Sequence, residues 1–149
     1  MKNVAILGST GSIGTQALKV IALHNDKFNV IALSAHKNTN LFFEQVRKFR
    51  PKYAAITGYD NYDIPEDLKF CEFLFGTNAL ESLAKITDVD YIIISVVGMI
   101  GLKAVISSLK SGKRVLLANK EALVAGGKLV IDTATKAALT AKNNSSFVE

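Results

Sequence analysis

Apolar residues in this chain gather into short β-branched runs, separated by stretches in which they recur every three or four positions. That alternation is the mark of βαβ units laid on a parallel sheet. Asn3–Leu7 predicts a first strand. Ile13–Leu23, with Leu18, Ile21 and Ala22 at helical spacing, predicts a helix that Asn25 and Asp26 end. A second strand follows over Phe28–Ser34, and a second helix over Asn40–Phe49 with Leu41, Phe42, Gln45 and Phe49 along one face. Tyr53–Thr57 predicts a third strand, and the stretch from Gly58 to Lys69 is the least regular part. Phe70–Phe75 reads as a short strand and Asn78–Ile86 as a helix packing through Leu80, Leu83 and Ala84. Tyr91–Ser95 is continuously apolar, the pattern of a strand buried on both faces. A helix over Gly101–Lys110, a further buried strand over Arg114–Leu117 and a last helix over Lys128–Lys142 complete the series. The expectation is one α/β domain over residues 1–149, doubly wound on a mostly parallel sheet.

Where the first strand hands over to the first helix stand Gly8, Gly11 and Gly14, in the segment Gly8-Ser-Thr-Gly-Ser-Ile-Gly14. In a strand–turn–helix context such glycines are the fingerprint of Rossmann-type NAD(P)-binding domains. The first permits a sharp turn, the second lets backbone amides approach a pyrophosphate, and the third lets the helix pack on the sheet. The positive end of that helix favours an anion. Ser9, Thr10 and Ser12 are expected to add hydroxyl donors around the same oxygens. The spacing is a variant of the usual one, and glycines serving a turn alone are the competing reading. A Walker loop does not fit, since no Ser or Thr follows Lys113.

The second strand runs into Ser34-Ala-His-Lys-Asn38, and no Asp or Glu occurs between Lys27 and Glu44. NAD-specific domains place a carboxylate here for the ribose 2′-hydroxyl, and NADP-specific ones a basic group for the 2′-phosphate. Lys37, with His36 and Asn38 beside it, therefore points to NADPH, the alternative being that Lys37 is a plain surface lysine.

Composition changes little in this picture. The chain has 149 residues, 49% hydrophobic and 21% charged, as in ordinary globular domains. No apolar run reaches the roughly 18–20 residues of a membrane span, so no membrane partner is expected. Only two residues precede the first strand, so no leader peptide is expected, and Cys71 is the single cysteine. Both observations suit a reducing, cytoplasmic setting. The formal net charge of +5 is spread over scattered lysines and arginines without interleaved aromatics, so no nucleic-acid partner is expected.

The segments Ala5-Ile-Leu-Gly-Ser-Thr-Gly-Ser-Ile-Gly14, Lys37-Asn38, Val97-Gly98 with Gly101 beyond it, and Leu117-Ala-Asn-Lys-Glu-Ala-Leu-Val124 resemble those of 1-deoxy-D-xylulose 5-phosphate reductoisomerases. The resemblance covers most of the chain and is weakest over 58–75. It implies an NADPH-dependent oxidoreductase of bacterial non-mevalonate isoprenoid biosynthesis. Such an enzyme rearranges and reduces 1-deoxy-D-xylulose 5-phosphate to 2-C-methyl-D-erythritol 4-phosphate, requires magnesium or manganese, and is expected to be a homodimer at full length.

Carried over by position, Thr10, Gly11, Ser12 and Ile13 would hold the pyrophosphate and His36, Lys37 and Asn38 the adenosine 2′-phosphate. His36 stands where the family usually has glycine. Asn119 and Glu121 would lie by the nicotinamide, and Lys120 would contact the phosphorylated sugar. Read from the residues alone, Ala118-Asn-Lys-Glu121 closes a strand at the carboxyl edge of the sheet, where open α/β folds bind ligands, although a solvated Lys120–Glu121 pair is the plainer alternative.

The family's metal-binding and catalytic carboxylates follow in a Pro-Val-Asp-Ser-Glu-His segment, and this sequence ends at Ser145-Ser-Phe-Val-Glu149. No catalytic or metal-ligating residue is therefore expected in the chain, which reads as the family's NADPH-binding domain and, alone, as inactive. Another NADPH-dependent dehydrogenase, such as an aspartate-semialdehyde dehydrogenase relative with a nucleophilic cysteine, and a non-enzymatic NADPH-sensing module are the competing readings.

Overall fold

A computed structural model describes residues 1–118 and 121–144, without the side chains of 121–125 and 138–144. Its strands are β1 (Lys2–Leu7), β2 (Phe28–Ala35), β3 (Tyr53–Ile56), β4 (Glu72–Phe75), β5 (Tyr91–Ile94) and β6 (Arg114–Leu117). Its helices are α1 (Ser12–Leu23), α2 (Thr39–Phe49), α3 (Ala79–Ala84), α4 (Gly98–Lys110) and α5 (Glu121–Asn144). The strands form one sheet in the order β4-β3-β2-β1-β5-β6, and every pairing is parallel. The expected elements are all present, most with ends displaced by no more than two residues; α4 begins three residues and α5 seven residues earlier than the apolar pattern predicts. Within the irregular stretch, a short 3₁₀ turn at Glu66–Leu68 precedes β4, so that strand starts two residues later than expected.

Alternation along β1 explains the two-sided core. Val4 and Ile6 pack with α1 and α2 through Leu18, Ile21, Phe42 and Val46, while Ala5 and Leu7 join the opposite layer, where α3 and α4 supply Leu80, Leu83, Leu102 and Val105. Burial of each large aliphatic or aromatic side chain here contributes about 1.5–3 kcal/mol, which offsets much of the entropy of ordering the chain. In β2, Val30 faces α1 and α2, and so do Leu33 and Ala35 although their parity is opposite. A bulge reconciles them: the β1–β2 register slips between Val4 and Ala5, leaving Ile31 as the extra residue. Inside α5 the backbone at Gly126 is not helical, so two helical stretches meet there at a kink.

The far side of the sheet departs from expectation. The continuous apolar run predicts β5 buried on both faces, yet only Ile92 and Ile94, under α4, are buried; Tyr91 and Ile93 are half-buried. β6, expected to be a buried strand, lies at the edge of the sheet, with Leu116 52% exposed. At this end of the face α1 is the helix beside the groove that remains among the described residues, an apolar one lined by Ala17, Val20, Tyr91, Ile93 and Leu116.

Candidate functional site

The carboxyl ends of the parallel strands all open on one side, and the connections from β1 and β5 run to opposite faces, which makes a crevice between them. Each turn glycine has its own reason for being there. Gly8 has φ +88°, and a Cβ on it would lie 2.7 Å from the Ser95 hydroxyl. Gly14 is pressed on the chain beneath it, and a Cβ would sit 2.6 Å from the Ser9 Cα and on the Gly8 carbonyl oxygen. Gly11 differs. Its φ of −76° and ψ of 177° suit any residue, and a Cβ would find only the Gly8 carbonyl, at 3.6 Å. Nothing within the described protein requires glycine at this position, whereas a phosphate approaching the backbone would. The first hydrogen bond of α1 runs from the Thr15 amide to the Gly11 carbonyl at 2.9 Å, which leaves the amides of Ser12, Ile13 and Gly14 at the helix mouth. Gly11, Ser12 and Ile13 are exposed there, and Thr10 is half-buried.

Ser9 corrects one expectation. Its side chain is completely buried, and its hydroxyl donates to the Gln45 Oε1 at 2.7 Å, so it is turned away from any phosphate. The turn is fastened on two further sides. The Gly8 amide donates to the Ser34 hydroxyl at 2.9 Å, and the Ser95 hydroxyl lies 3.0 Å from both the Leu7 and the Gly8 carbonyl oxygens.

At the end of β2, His36, Lys37 and Asn38 are all exposed. The Asn38 Oδ1 caps α2 by accepting from the Leu41 amide at 3.4 Å, which leaves the Nδ2 donors to face outward chemistry. The His36 Nδ1 lies 3.1 Å from the Thr57 hydroxyl. The chain after β3 closes against this segment. The Gly58 amide donates to the His36 carbonyl at 2.9 Å, and a Cβ on Gly58 would strike that carbonyl and the Lys37 side chain. The Lys37 ammonium sits 5.7 Å from the centre of the Tyr59 ring, within cation–π range. Tyr59 is a residue that sequence reasoning passed over, lying in the stretch with no periodicity; its only signal was an aromatic directly after a strand end.

After β5, Gly98 has φ +78°, and Gly101 sits so close to the Val96 carbonyl oxygen that a Cβ would collide with it, which brings α4 tightly onto the strand end. β6 delivers Ala118 to the same edge. Asn119 and Lys120 lie outside the described residues, and of Glu121 only the backbone, at the start of α5, is described. Among the described residues no three His, Cys, Asp or Glu side chains gather into a group that could hold a metal ion, and no helix is long and apolar enough to cross a membrane. Cys71 precedes β4, at the amino end of the sheet and away from the crevice, and burial pushes its thiol up to about 12. It is no candidate for a nucleophile.

A parallel α/β sheet with a glycine turn at the mouth of α1, and a cationic end to β2 without a carboxylate, defines a Rossmann-type dinucleotide-binding domain. The model of the 1-deoxy-D-xylulose 5-phosphate reductoisomerase family matches residues 4–127, and the chain belongs to that family. The enzyme of that name from Clostridium perfringens is 42% identical over 137 residues, which are 88% of this chain and 35% of that protein. The solved reductoisomerase from Zymomonas mobilis in complex with NADPH superposes with a TM-score of 0.83 at 34% identity, over 92% of this chain and 37% of that one. A reductoisomerase solved with NADPH, fosmidomycin and magnesium gives a TM-score of 0.83 at 33% identity, over 91% of this chain and 34% of that one. The chain thus spans about a third of the length of the relatives it matches.

Proposed function

We propose that residues 1–149 are the NADPH-binding domain of a 1-deoxy-D-xylulose 5-phosphate reductoisomerase. Gly11 carries this reading, because a ligand backed onto the turn accounts for a glycine that the described protein itself does not require. Thr10, Gly11, Ser12 and Ile13 hold the pyrophosphate, and Lys37, Asn38 and His36 surround the adenosine 2′-phosphate. Asn119 and Glu121 flank the nicotinamide, and Lys120 orients the phosphorylated sugar. The nicotinamide supplies the hydride of the reductive step. Magnesium or manganese is bound outside this domain, by other parts of the full-length enzyme, which is a cytoplasmic homodimer.

Titration calorimetry of the chain with NADPH and NADH tests this reading. A charge-assisted contact to the 2′-phosphate is worth about 1.5–3 kcal/mol, so NADPH should bind on the order of 10- to 100-fold more tightly. Equal affinities, or a preference for NADH, would overturn it.

A further inference from the structure

We propose that Gln45 is the positioning residue that aims the phosphate-binding turn. It lies on α2, only 7% exposed, between the fully buried Phe42 and Val46, and 36 residues from the turn it serves. A primary amide costs free energy to bury unless both its ends are satisfied. Gln45 satisfies both on one residue. Its Nε2 donates to the Ser9 carbonyl at 2.9 Å, and its Oε1 accepts from the Ser9 hydroxyl at 2.7 Å. The Ser34 carbonyl, at 3.2 Å, is the more distant acceptor for that hydroxyl. The orientation of the amide follows from chemistry. Rotated by half a turn, its oxygen would face the Ser9 carbonyl oxygen, two acceptors without a proton between them.

The consequence falls on the next residue. In a trans peptide the carbonyl of one residue and the amide N–H of the next point in opposite directions. Every peptide bond described here is trans. Drawing the Ser9 carbonyl toward α2 therefore turns the Thr10 N–H away from α2, out of the protein interior. The same helix begins at the Asn38 cap, next to Lys37. A single rigid element thus sets both the amide offered to the pyrophosphate and the segment offered to the 2′-phosphate.

This role presupposes that NADPH occupies the turn, and three variants of the chain separate the two ideas. Gln45→Met fills similar space but can neither donate to nor accept from Ser9. It should lose NADPH affinity by about tenfold or more while holding 2′-AMP, which has the 2′-phosphate and no pyrophosphate, within about twofold. Ser9→Ala keeps the bond to the carbonyl, so it should lose less than about threefold. Gln45→Glu can still donate to the Ser9 carbonyl while protonated, but once ionised it sets a charge against that oxygen. Its NADPH affinity relative to the unaltered chain should therefore fall about tenfold between about pH 5.5 and pH 8. If Gln45→Met does not fold, this pH ratio decides. Wild-type affinity in a folded Gln45→Met variant, equal losses of NADPH and 2′-AMP, or a flat pH ratio would each overturn the role of Gln45. Failure of the unaltered chain to bind NADPH would overturn the cofactor reading and this role together.

Discussion

Exchanging Gly11 for serine and Gly14 for alanine separates glycines kept for a ligand from glycines kept for the fold. Gly11 already has the extended backbone of a helix cap, at φ −76° and ψ 177°, and space around its missing Cβ. Serine there restricts the unfolded chain, worth about 0.4–1 kcal/mol, and is a slightly better cap than glycine by a few tenths. For a domain of this size that raises Tm by about 1–5 °C. The same side chain intrudes where phosphate oxygens meet the helix mouth. Losing even one amide–phosphate bond costs about 1.5–3 kcal/mol, on the order of 10- to 100-fold in Kd. Gly14→Ala should do the reverse damage. Its Cβ would meet Ser9 Cα at 2.6 Å and the Gly8 carbonyl oxygen, both backbone that cannot swing aside. Overpacking of that kind costs about 3 kcal/mol, against roughly 1 gained in helix propensity, for a fall in Tm of about 4–8 °C. Thermal unfolding by circular dichroism and NADPH titration by fluorescence, run on both variants, provide the four numbers. A Gly11→Ser protein that melts at or above the wild-type temperature yet binds NADPH unchanged would refute the placement of the pyrophosphate. One that melts well below it would show that Gly11 is structural after all.

Three further outcomes are expected. Lys37→Ala should weaken NADPH by on the order of tenfold or more and leave NADH unchanged in parallel calorimetric titrations, since only the former carries the 2′-phosphate; parallel losses would show that Lys37 does not face it. At pH 8 a thiol at about 12 is ionised in about one molecule in ten thousand, against roughly a quarter for an unperturbed cysteine. Iodoacetamide, followed by mass spectrometry, should therefore modify Cys71 about a thousandfold more slowly in the folded chain than in urea, and comparable rates would contradict its burial. Finally, the chain alone, with magnesium or manganese, should not oxidise NADPH in the presence of 1-deoxy-D-xylulose 5-phosphate. In the full-length enzyme Lys120→Ala should cut turnover with NADPH affinity nearly intact, while Asn119→Ala should weaken the cofactor; metal-dependent turnover by the chain alone would place the chemistry here.

What was legible in the sequence is what depends on neighbours along the chain. The period of apolar residues set out every strand and helix, because burial of a face imposes its repeat locally. The three glycines marked the turn, and the lack of a carboxylate after β2 marked the end proposed for the cofactor's 2′-phosphate. What escaped depends on residues far apart. The latch between Ser95 and the Gly8 carbonyl spans 87 residues, and its only trace is a hydroxyl ending an otherwise apolar strand. Gln45 sat in plain view on the apolar face of α2, where a polar residue among Phe42, Phe43 and Val46 has to find a buried partner. From sequence alone the hydroxyl of its partner, Ser9, reads as available to a ligand because it stands in a glycine turn, whereas the fold packs it under α2. The expected burial of β5 on both faces and of β6 failed for a related reason. An apolar run records which residues favour burial, but not where in the sheet its strand falls, and β6 falls at the edge.

These buried latches also bear on how such a turn binds. Gly8 is held by the Ser34 hydroxyl and carbonyl, Ser9 by Gln45, and the carbonyls of Leu7 and Gly8 by Ser95. Each bond is directed inward from the same few residues, so the peptide planes of Gly8 and Ser9 are fixed before any ligand arrives. A turn already ordered loses little conformational entropy when a pyrophosphate settles on it, and that loss is a main cost of binding through backbone amides. The hydroxyls and amide engaged inside the protein are therefore expected to act on the affinity of the amides proposed for the pyrophosphate, those of Thr10, Ser12 and Ile13. Substitutions at Ser34 and Ser95 should accordingly weaken the cofactor without touching it, and the loss should appear in the binding entropy ahead of the enthalpy.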